Sequence, residues 1–334
     1  MRVNKNTLLK IADDTVARRV RTKPGILSIY LCGSLLSDDY LIGGTADIDL
    51  TIIHIDAAPQ EREIVRLTDE IHLDIAHYSQ RDFRDPRQLR IHPWLGPTIF
   101  DCEILHDPQH FMDFTQASVR GQFHNSTYVL NRCRKRIQSA RQIWMGFYTD
   151  MPAEPGVEEV AAYLKAIENA ANTITSLHGP PLAERRLLLN FPERAKAVDR
   201  PGLYPGLLGL LGAPNVDHDV IGSWLPGWQA AIEMIPVPDI PPRLNPYRLV
   251  YYRRAFKAML GGDQPQAVLW PLLRTWTLAI SCLAEDLDSR GTWEEACRQL
   301  GILGGRFADR VEALDAYLDL VEETLEAWED KAGR

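Results

Sequence analysis

Short apolar runs, each ended by glycine, proline or charged residues, dominate the first third of the chain. Runs of this kind are typical of buried strands, and four of them predict strands at residues 26–32, 48–54, 71–77 and 98–107. Apolar residues at spacings of three and four predict helices at residues 4–20 and 60–70. Strands that alternate with helices predict a small α/β or α+β domain built on a mixed sheet.

After residue 115 the apolar spacing becomes helical throughout. It predicts helices at residues 119–148 and 157–177, a central buried helix at 266–287, and a last helix from about residue 306. The proline- and glycine-rich residues 178–245 predict short helices between breaks. We therefore expect the fold class α+β, with a small mixed-sheet domain at residues 1–115 and a larger all-helical domain at residues 116–334.

Composition excludes several classes of protein. The net charge of −8 over 334 residues disfavours broad nucleic-acid binding, which needs a basic excess. Five cysteines without a C-x-x-C pair disfavour a zinc site and a disulfide framework. No apolar run approaches the roughly 18 residues of a membrane span. We expect a cytoplasmic protein that does not enter a membrane.

Two aspartates, Asp47 and Asp49, are one residue apart on the second predicted strand. Side chains at i and i+2 of a strand point to the same face, so both carboxylates lie together. Like charges about 4 Å apart repel by about 4 kcal/mol at an effective dielectric of 20, and a divalent cation reverses this cost. Asp74, on the third predicted strand, joins them if the two strands are neighbours. The three carboxylates predict a magnesium site.

Gly33 and Ser34 end the first predicted strand. A glycine at this point lets the backbone turn sharply and approach a phosphate, whose oxygens the free N–H groups and the serine hydroxyl can bind. The pair therefore predicts a phosphate-binding turn beside the carboxylates.

The order of these motifs resembles the nucleotidyltransferase superfamily of DNA polymerase β-like fold. A strand, Gly-Ser, a loop, Asp-Ile-Asp-Leu and a later strand with one more Asp follow one another within residues 1–115. The helical second half is most similar to the antibiotic (aminoglycoside-type) adenylyltransferases. The resemblance implies a catalytic nucleotidyltransferase domain at residues 1–115 and a helical acceptor-binding domain at residues 116–334.

The resemblance also implies roles for individual residues. Asp47, Asp49 and Asp74 bind two Mg²⁺ ions, and Gly33 and Ser34 bind phosphate. A nucleoside monophosphate, AMP from ATP, is transferred to a hydroxyl of a small-molecule acceptor, and pyrophosphate is released.

Two features depart from the family pattern. Ala46 stands where the family commonly has serine, and the loop after Ser34 carries Asp38 and Asp39 in place of a small-Arg-Gly element. Acidic loop residues repel a triphosphate if they point at it, so these departures bear on the nucleotide and not on the metal ligands.

Lys165 and Glu168 lie on one face of a predicted helix in the second half. By resemblance, Lys165 grips the β- and γ-phosphates and Glu168 is the general base on the acceptor hydroxyl, a role that Asp74 can also fill. The alternative is an i,i+3 surface ion pair worth about 0.2–0.5 kcal/mol.

Residues 120–150 hold six Lys or Arg against one acid. This basic cluster either lines the cleft below the sheet domain or pairs with the acidic face of the last helix. The apolar seam of that helix, from Phe307 to Trp328, fits either domain core or a homodimer face.

Other functions remain open on the sequence. The same site serves nucleotide second-messenger synthesis or nucleotidylation of a protein or tRNA, although the acidic net charge disfavours tRNA. A non-catalytic, antitoxin-like protein that acts through partner contact is a different class, and retention of three carboxylates argues against it. An unrelated α/β protein with a surface acid pair is a third alternative.

Overall fold

The computed structural model describes residues 4–236, 240–284 and 289–332. The chain divides into two compact units. The first comprises Met1–Tyr128 and Tyr247–Ala258, and the second comprises Val129–Pro246 and Met259–Arg334. A mixed sheet in the N-terminal part is followed by many helices, so the predicted fold class, α+β, is confirmed. The functional domains at residues 1–115 and 116–334 stay a prediction.

The first unit is built on one five-stranded sheet. Its strands are β1 (Ile26–Cys32), β2 (Ala46–His54), β3 (Arg62–Arg66), β4 (Ile71–Ser79) and β5 (Glu103–His106). Their spatial order is β3-β4-β2-β1-β5, with β2 and β4 parallel and the other neighbours antiparallel. The helices around the sheet are α1 (Lys5–Thr22), α2 (Pro86–Ile91), α3 (Leu95–Asp101) and α4 (Phe111–Arg120).

Apolar side chains cover both faces of the sheet. Residues of β2 such as Ile48 and Leu50 pack on one face with α1, where Leu8 and Ala12 are fully buried. Ile53, of opposite parity, packs on the other face with the short helices α2 to α4. Alternation along β2 therefore places Asp47 and Asp49 on the second face, beyond the end of its apolar core.

Two predicted elements of the first unit are wrong. Residues 60–70, predicted as a helix, contain β3, which pairs antiparallel with β4. Residues 98–107, predicted as one strand, contain the end of α3 followed by β5. In both cases the apolar residues suit either element, and pairing with a neighbouring strand decides between them.

Helices make up the second unit and the segment that returns to the first. They are α5 (Ser126–Thr149), α6 (Val157–Thr175), α7 (Leu187–Ala197), α8 (Leu203–Leu210), α9 (His218–Glu233), α10 (Leu249–Leu260), α11 (Leu269–Ser281), α12 (Ser289–Leu300) and α13 (Phe307–Ala332). The helix predicted at residues 119–148 is divided between α4 and α5. The helix predicted at 266–287 corresponds to α11 after a 3₁₀ turn at Pro265–Val268, and residues 285–287 of that prediction lie outside the described residues.

The last helix, α13, buries its apolar seam within the second unit. Leu314, Leu318 and Val321 are fully buried, and α13 packs against α6 and α8. The seam is therefore part of the domain core and is not a homodimer face. A homodimer stays a prediction, and it would need a different surface. No helix within the described ranges is both long enough and apolar enough to cross a membrane.

Candidate functional site

Three carboxylates converge at one end of the sheet. Because β2 and β4 are parallel neighbours, Asp49 is paired in register with Asp74, and Asp47 with His72. One oxygen from each of Asp47, Asp49 and Asp74 lies within 4.8 Å of the others. Asp47 and Asp74 are buried, at 7% and 2% exposure, and Asp49 is half-buried. The structure thus brings together the three residues that the strand pattern selects.

Gly33 lies directly against this cluster. Its φ of +79° is in the left-handed region that favours glycine. A Cβ atom at this position would lie 2.0 Å from Oδ2 of Asp49. Glycine is therefore required both for the turn after β1 and for the space that the Asp49 carboxylate occupies.

The next residue, Ser34, begins a 3₁₀ turn that ends at Leu36. Its hydroxyl oxygen is buried and has no hydrogen-bond partner among the described residues. A buried hydroxyl without a partner is costly, so a ligand oxygen at this point would satisfy it. Gly33 is thus in contact with Asp49, and Ser34 follows it in the chain.

Arg62 of the edge strand β3 binds Asp74 through two hydrogen bonds. Nε donates to Oδ1 at 2.5 Å and Nη2 donates to Oδ2 at 2.7 Å. Ile64 is the register partner of Asp74, so the two side chains are on the same face of the sheet. Arg62 is two residues before Ile64 and is therefore on that face as well. This bidentate pair depends on residues 62–66 being a strand.

A second guanidinium, from Arg248, lies between two of the carboxylates. Nη2 donates to Oδ2 of Asp47 and Nη1 contacts Oδ2 of Asp74, both at 3.1 Å. The Tyr251 hydroxyl also donates to Oδ2 of Asp47, at 2.8 Å. Arg248 is buried, with 8% of its side chain exposed. Asp47 and Asp74 are therefore bridged by a single buried cation.

The loop before β2 holds α10, which carries Tyr251, in place. Gly43 has a φ of +61°, and a Cβ there would lie 2.2 Å from the backbone oxygen of Arg254. Thr45 donates from its hydroxyl to the backbone oxygen of Tyr251 at 3.4 Å. The buried His72 ring packs edge-on against the Tyr251 ring, with 4.9 Å between centroids. His72 thus supports the tyrosine that binds Asp47.

The electrostatics differ among the three carboxylates. Within the described part of the chain, no basic nitrogen lies within ion-pair distance of Asp49. Burial raises the pKa of Asp49 well above its usual value, and the charges of Asp47 and Asp74 raise it further. Arg62 and Arg248 lower this pKa, but by less. Asp49 is the carboxylate whose charge is least compensated.

Arg248 remains charged in this environment. Burial alone would lower the pKa of Arg248, but the neighbouring Tyr252, Asp74, Tyr251 and Asp47 raise it well above its usual value. A guanidinium held in this way is a permanent cation inside the cluster.

The donor set fits a hard divalent cation. Carboxylate oxygens are the ligands that Mg²⁺ prefers, and Gly33 leaves room for the Asp49 carboxylate. Asp47, Asp49 and Asp74 are the residues that would hold the ion. Two of the three already bind arginine, so an incoming cation meets an occupied set of oxygens.

Lys165 and Glu168 lie on α6, in the second unit. Lys165 Nζ donates to Oε2 of Glu168 at 2.9 Å, and Arg274 Nη2 lies 3.4 Å from the same oxygen. Burial raises the pKa of Glu168, but Arg274 and Lys165 outweigh it, and the net pKa is below the usual value. Glu168 is therefore an ionised carboxylate held by two cations. The assigned roles of Lys165 in phosphate binding and of Glu168 as base stay predictions.

Part of the basic cluster at residues 120–150 pairs with the acidic face of α13. Arg141 binds Asp315, Asp319 and Glu322, and Arg134 binds Glu329. These two cations are used within the second unit.

Sequence reasoning did not identify Arg62, Arg248 or Tyr251. Arg62 carries a weak signal, because strand alternation in residues 62–66 would place it beside Asp74. Arg248 and Tyr251 carry none, since they are 201 and 204 residues from Asp47 along the chain.

Comparison with known proteins adds little. No protein-family model matches the chain, and no curated protein matches it. Among solved structures, it is similar to the crystal structure of a nucleotidyltransferase-like protein from Exiguobacterium sibiricum 255-15. The match covers 94% of this chain and 91% of that chain, at 11% identity and a TM-score of 0.30.

Proposed function

We propose that this protein is a Mg²⁺-dependent nucleotidyltransferase that transfers a nucleoside monophosphate, AMP from ATP, to a hydroxyl of a small-molecule acceptor and releases pyrophosphate. The observation that carries the proposal is the convergence of Asp47, Asp49 and Asp74 within 4.8 Å, with Gly33 in contact with Asp49. Ser34, the next residue, has a buried hydroxyl without a hydrogen-bond partner among the described residues. Carboxylates beside a phosphate-binding turn suit metal-assisted phosphoryl transfer. The chain's location is proposed to be the cytoplasm.

Each residue of the proposed site has a distinct role. The three aspartates hold the metal, which when bound neutralises phosphate charge and orients the reacting oxygens. Gly33 lets the backbone come close to the phosphates, and the Ser34 hydroxyl donates to a phosphate oxygen. Lys165 is proposed to bind the outer phosphates. Asp74 or Glu168 is proposed to accept the acceptor's hydroxyl proton.

A pyrophosphate-release assay tests the reaction directly. The protein would be incubated with Mg²⁺ and each of the four ribonucleoside triphosphates, with and without a panel of aminoglycosides and other polyhydroxylated acceptors. We expect acceptor-dependent pyrophosphate release, greatest with ATP, that Asp49→Asn reduces by at least about 100-fold. Release without any acceptor, together with a cyclic or oligomeric nucleotide product, would instead indicate second-messenger synthesis. No release under any condition would contradict the proposed reaction.

A second candidate function is favoured by one observation. Both oxygens of Asp74 are bound by Arg62, and Arg248 also contacts Asp74. These contacts suit a protein in which the carboxylates stabilise the fold by binding arginine and do not bind metal. On this alternative the chain is a non-catalytic protein that acts through partner contact. It predicts that the purified protein binds neither Mg²⁺ nor nucleotide, whereas the transferase binds both.

A further inference from the structure

Arg248 bridges Asp47 and Asp74, two of the three carboxylates that would hold a metal ion. It contacts Oδ2 of each carboxylate at 3.1 Å, so a cation that bound these two oxygens would compete with the guanidinium. Arg62 differs, because it binds only Asp74 and is 45% exposed at the sheet edge. Arg248 is therefore the cation that competes for the bridging position.

Removing Arg248 from the carboxylates has an electrostatic cost. A buried charge without a partner is strongly unfavourable, so the guanidinium must find another anion or reach water when it leaves. A free divalent cation supplies no such anion. A metal–triphosphate complex does, and its phosphate oxygens match the two-pronged donor geometry of arginine.

We propose that Arg248 is an internal counterion that excludes free divalent metal from Asp47 and Asp74 and moves onto the polyphosphate of an incoming metal–nucleotide complex. This inference rests on the proposed function, because it takes the same carboxylates as the metal site. It assigns Arg248 as a binding residue for the nucleoside triphosphate and makes metal binding depend on the nucleotide.

The chain offers a matched control six residues further along, on α10, which begins directly after Arg248. Arg254 pairs with Glu70 at 2.8 Å in an exposed contact and touches none of the three aspartates. Arg248→Met keeps the length of the buried side chain and removes its charge, and Arg254→Met makes the same chemical change away from the site. Arg248→Lys keeps the charge but loses the two-pronged geometry.

Two titrations on the full chain test the proposal. Binding of Mn²⁺ alone is followed by electron paramagnetic resonance of the free ion. Binding of a preformed Mg²⁺ complex with an ATP analogue, carrying a methylene group between its α- and β-phosphorus atoms, is followed by calorimetry. Arg248→Met is expected to tighten Mn²⁺ alone by about tenfold or more and to weaken the nucleotide complex by a similar factor. Arg254→Met should leave both affinities at wild-type values, and Arg248→Lys should lie between.

Opposite shifts separate this account from a structural role, since a damaged fold would weaken both ligands. Circular dichroism and the unfolding temperature of each variant check that it is folded, and Mn²⁺ should raise the unfolding temperature of Arg248→Met more than that of the wild type. Unchanged or weaker Mn²⁺ binding in folded Arg248→Met would overturn the inference about Arg248. The proposed metal site would still be tested separately, by the loss of pyrophosphate release in Asp49→Asn. Absence of binding in every protein, with and without nucleotide, would overturn the proposed function and this inference together.

Discussion

Gly33 and Asp49 are in such close contact that no side chain fits between them: a Cβ on Gly33 would lie 2.0 Å from Oδ2 of Asp49. Gly33 directly follows β1, and its neighbour Cys32 is the register partner of Asp49 on the antiparallel strand β2. The turn that is proposed to bind phosphate and the carboxylate that is proposed to bind metal therefore form one packing unit, and a change in either is expected to disturb the other.

Gly33→Ala tests this contact. Alanine must adopt a φ of +79° and also displaces Asp49, so we expect a loss of about 2–4 kcal/mol in the free energy of unfolding and loss of Mg²⁺–nucleotide binding. Gly44→Ala is the control, because its φ is +72° but nothing lies within 4 Å of the added methyl group. It should lose only about 1–2 kcal/mol and keep nucleotide binding. Equal effects in the two variants, measured by urea unfolding, would show that the contact with Asp49 is unimportant.

Asp49→Asn and Asp47→Asn should change the stability of the metal-free protein in opposite directions. Asp49 faces two like charges without a cation at ion-pair distance among the described residues, so the neutral amide should raise the free energy of unfolding by about 1 kcal/mol. Asp47 binds Arg248 and Tyr251, so its amide should lower stability by about 1–3 kcal/mol. Urea unfolding in the presence of EDTA measures both. Destabilisation by both variants would contradict the charge balance described for the site.

A buried histidine pair makes stability depend on pH. Nε2 of His54 lies 2.9 Å from Nδ1 of His77, and Nε2 of His77 lies 3.5 Å from Glu63. Burial lowers the pKa of both histidines. The charge of Lys23 lowers the pKa of His54 further, and the charge of His54 lowers the pKa of His77 further. Because the unfolded imidazole has a pKa of about 6.5, the unfolded chain takes up more protons just below that pH.

The contribution of this pair is therefore complete above about pH 6.5 and is lost as the pH falls through the lowered folded values. Urea midpoints at pH 7.5, 6.5 and 5.5 should fall less steeply in the double variant His54→Gln, His77→Gln than in the wild type. His218→Gln, an exposed position, should follow the wild type. An unchanged slope in the double variant would show that the two histidines take up protons equally in the folded and unfolded states.

Arg141 should contribute more to stability than Arg134. Arg141 binds three carboxylates of α13, whereas Arg134 makes one exposed pair with Glu329. Arg141→Ala leaves the three acids close together, so we expect a loss of about 1–2 kcal/mol in the free energy of unfolding, against less than about 1 kcal/mol for Arg134→Ala. In 0.5 M NaCl the difference should shrink, since salt screens exposed charges. A larger loss from Arg134→Ala would contradict this ranking.

The strands that carry the aspartates were predictable because each is a single apolar run. Residues 26–32 coincide with β1, and β2 and β4 extend the predicted second and third strands by two residues each. The three carboxylates were expected to converge only if β2 and β4 are neighbours, and neither run shows that by itself. Only the neighbour relation had to be confirmed by the structure, and it was.

The edge strand β3 was not predictable because its pattern is compatible with two elements. Only Arg62 and Arg66, at the two ends of β3, are exposed, and the half-buried Ile64 and Val65 between them also fit a helical stripe. Pairing with β4 supplies hydrogen bonds that an isolated helix of this length would not replace. Because residues 60–70 were predicted as a helix, Arg62 was not identified as a partner of Asp74, which it contacts from the strand β3.

The contribution of α10 to the site could not be read from local sequence. Arg248 and Tyr251 follow the proline-rich residues 178–245, and nothing in their immediate neighbours shows that the chain returns to the sheet. Gly43 and Thr45 provide the contact surface for this return. These contacts, of Gly43 with the Arg254 backbone and of Thr45 with the Tyr251 backbone, are visible only in the structure.

The most direct test of the central claim is calorimetric titration of each nucleoside triphosphate in the presence of Mg²⁺. It would be carried out on the wild type and on the double variant Asp47→Asn, Asp49→Asn, with EDTA controls. We expect Mg²⁺-dependent binding of ATP to the wild type that is at least about 100-fold weaker in the double variant. Binding of equal strength in both proteins, or no binding of any triphosphate to the folded wild type, would contradict the assignment of Asp47, Asp49 and Asp74 as the metal site of a nucleotidyltransferase.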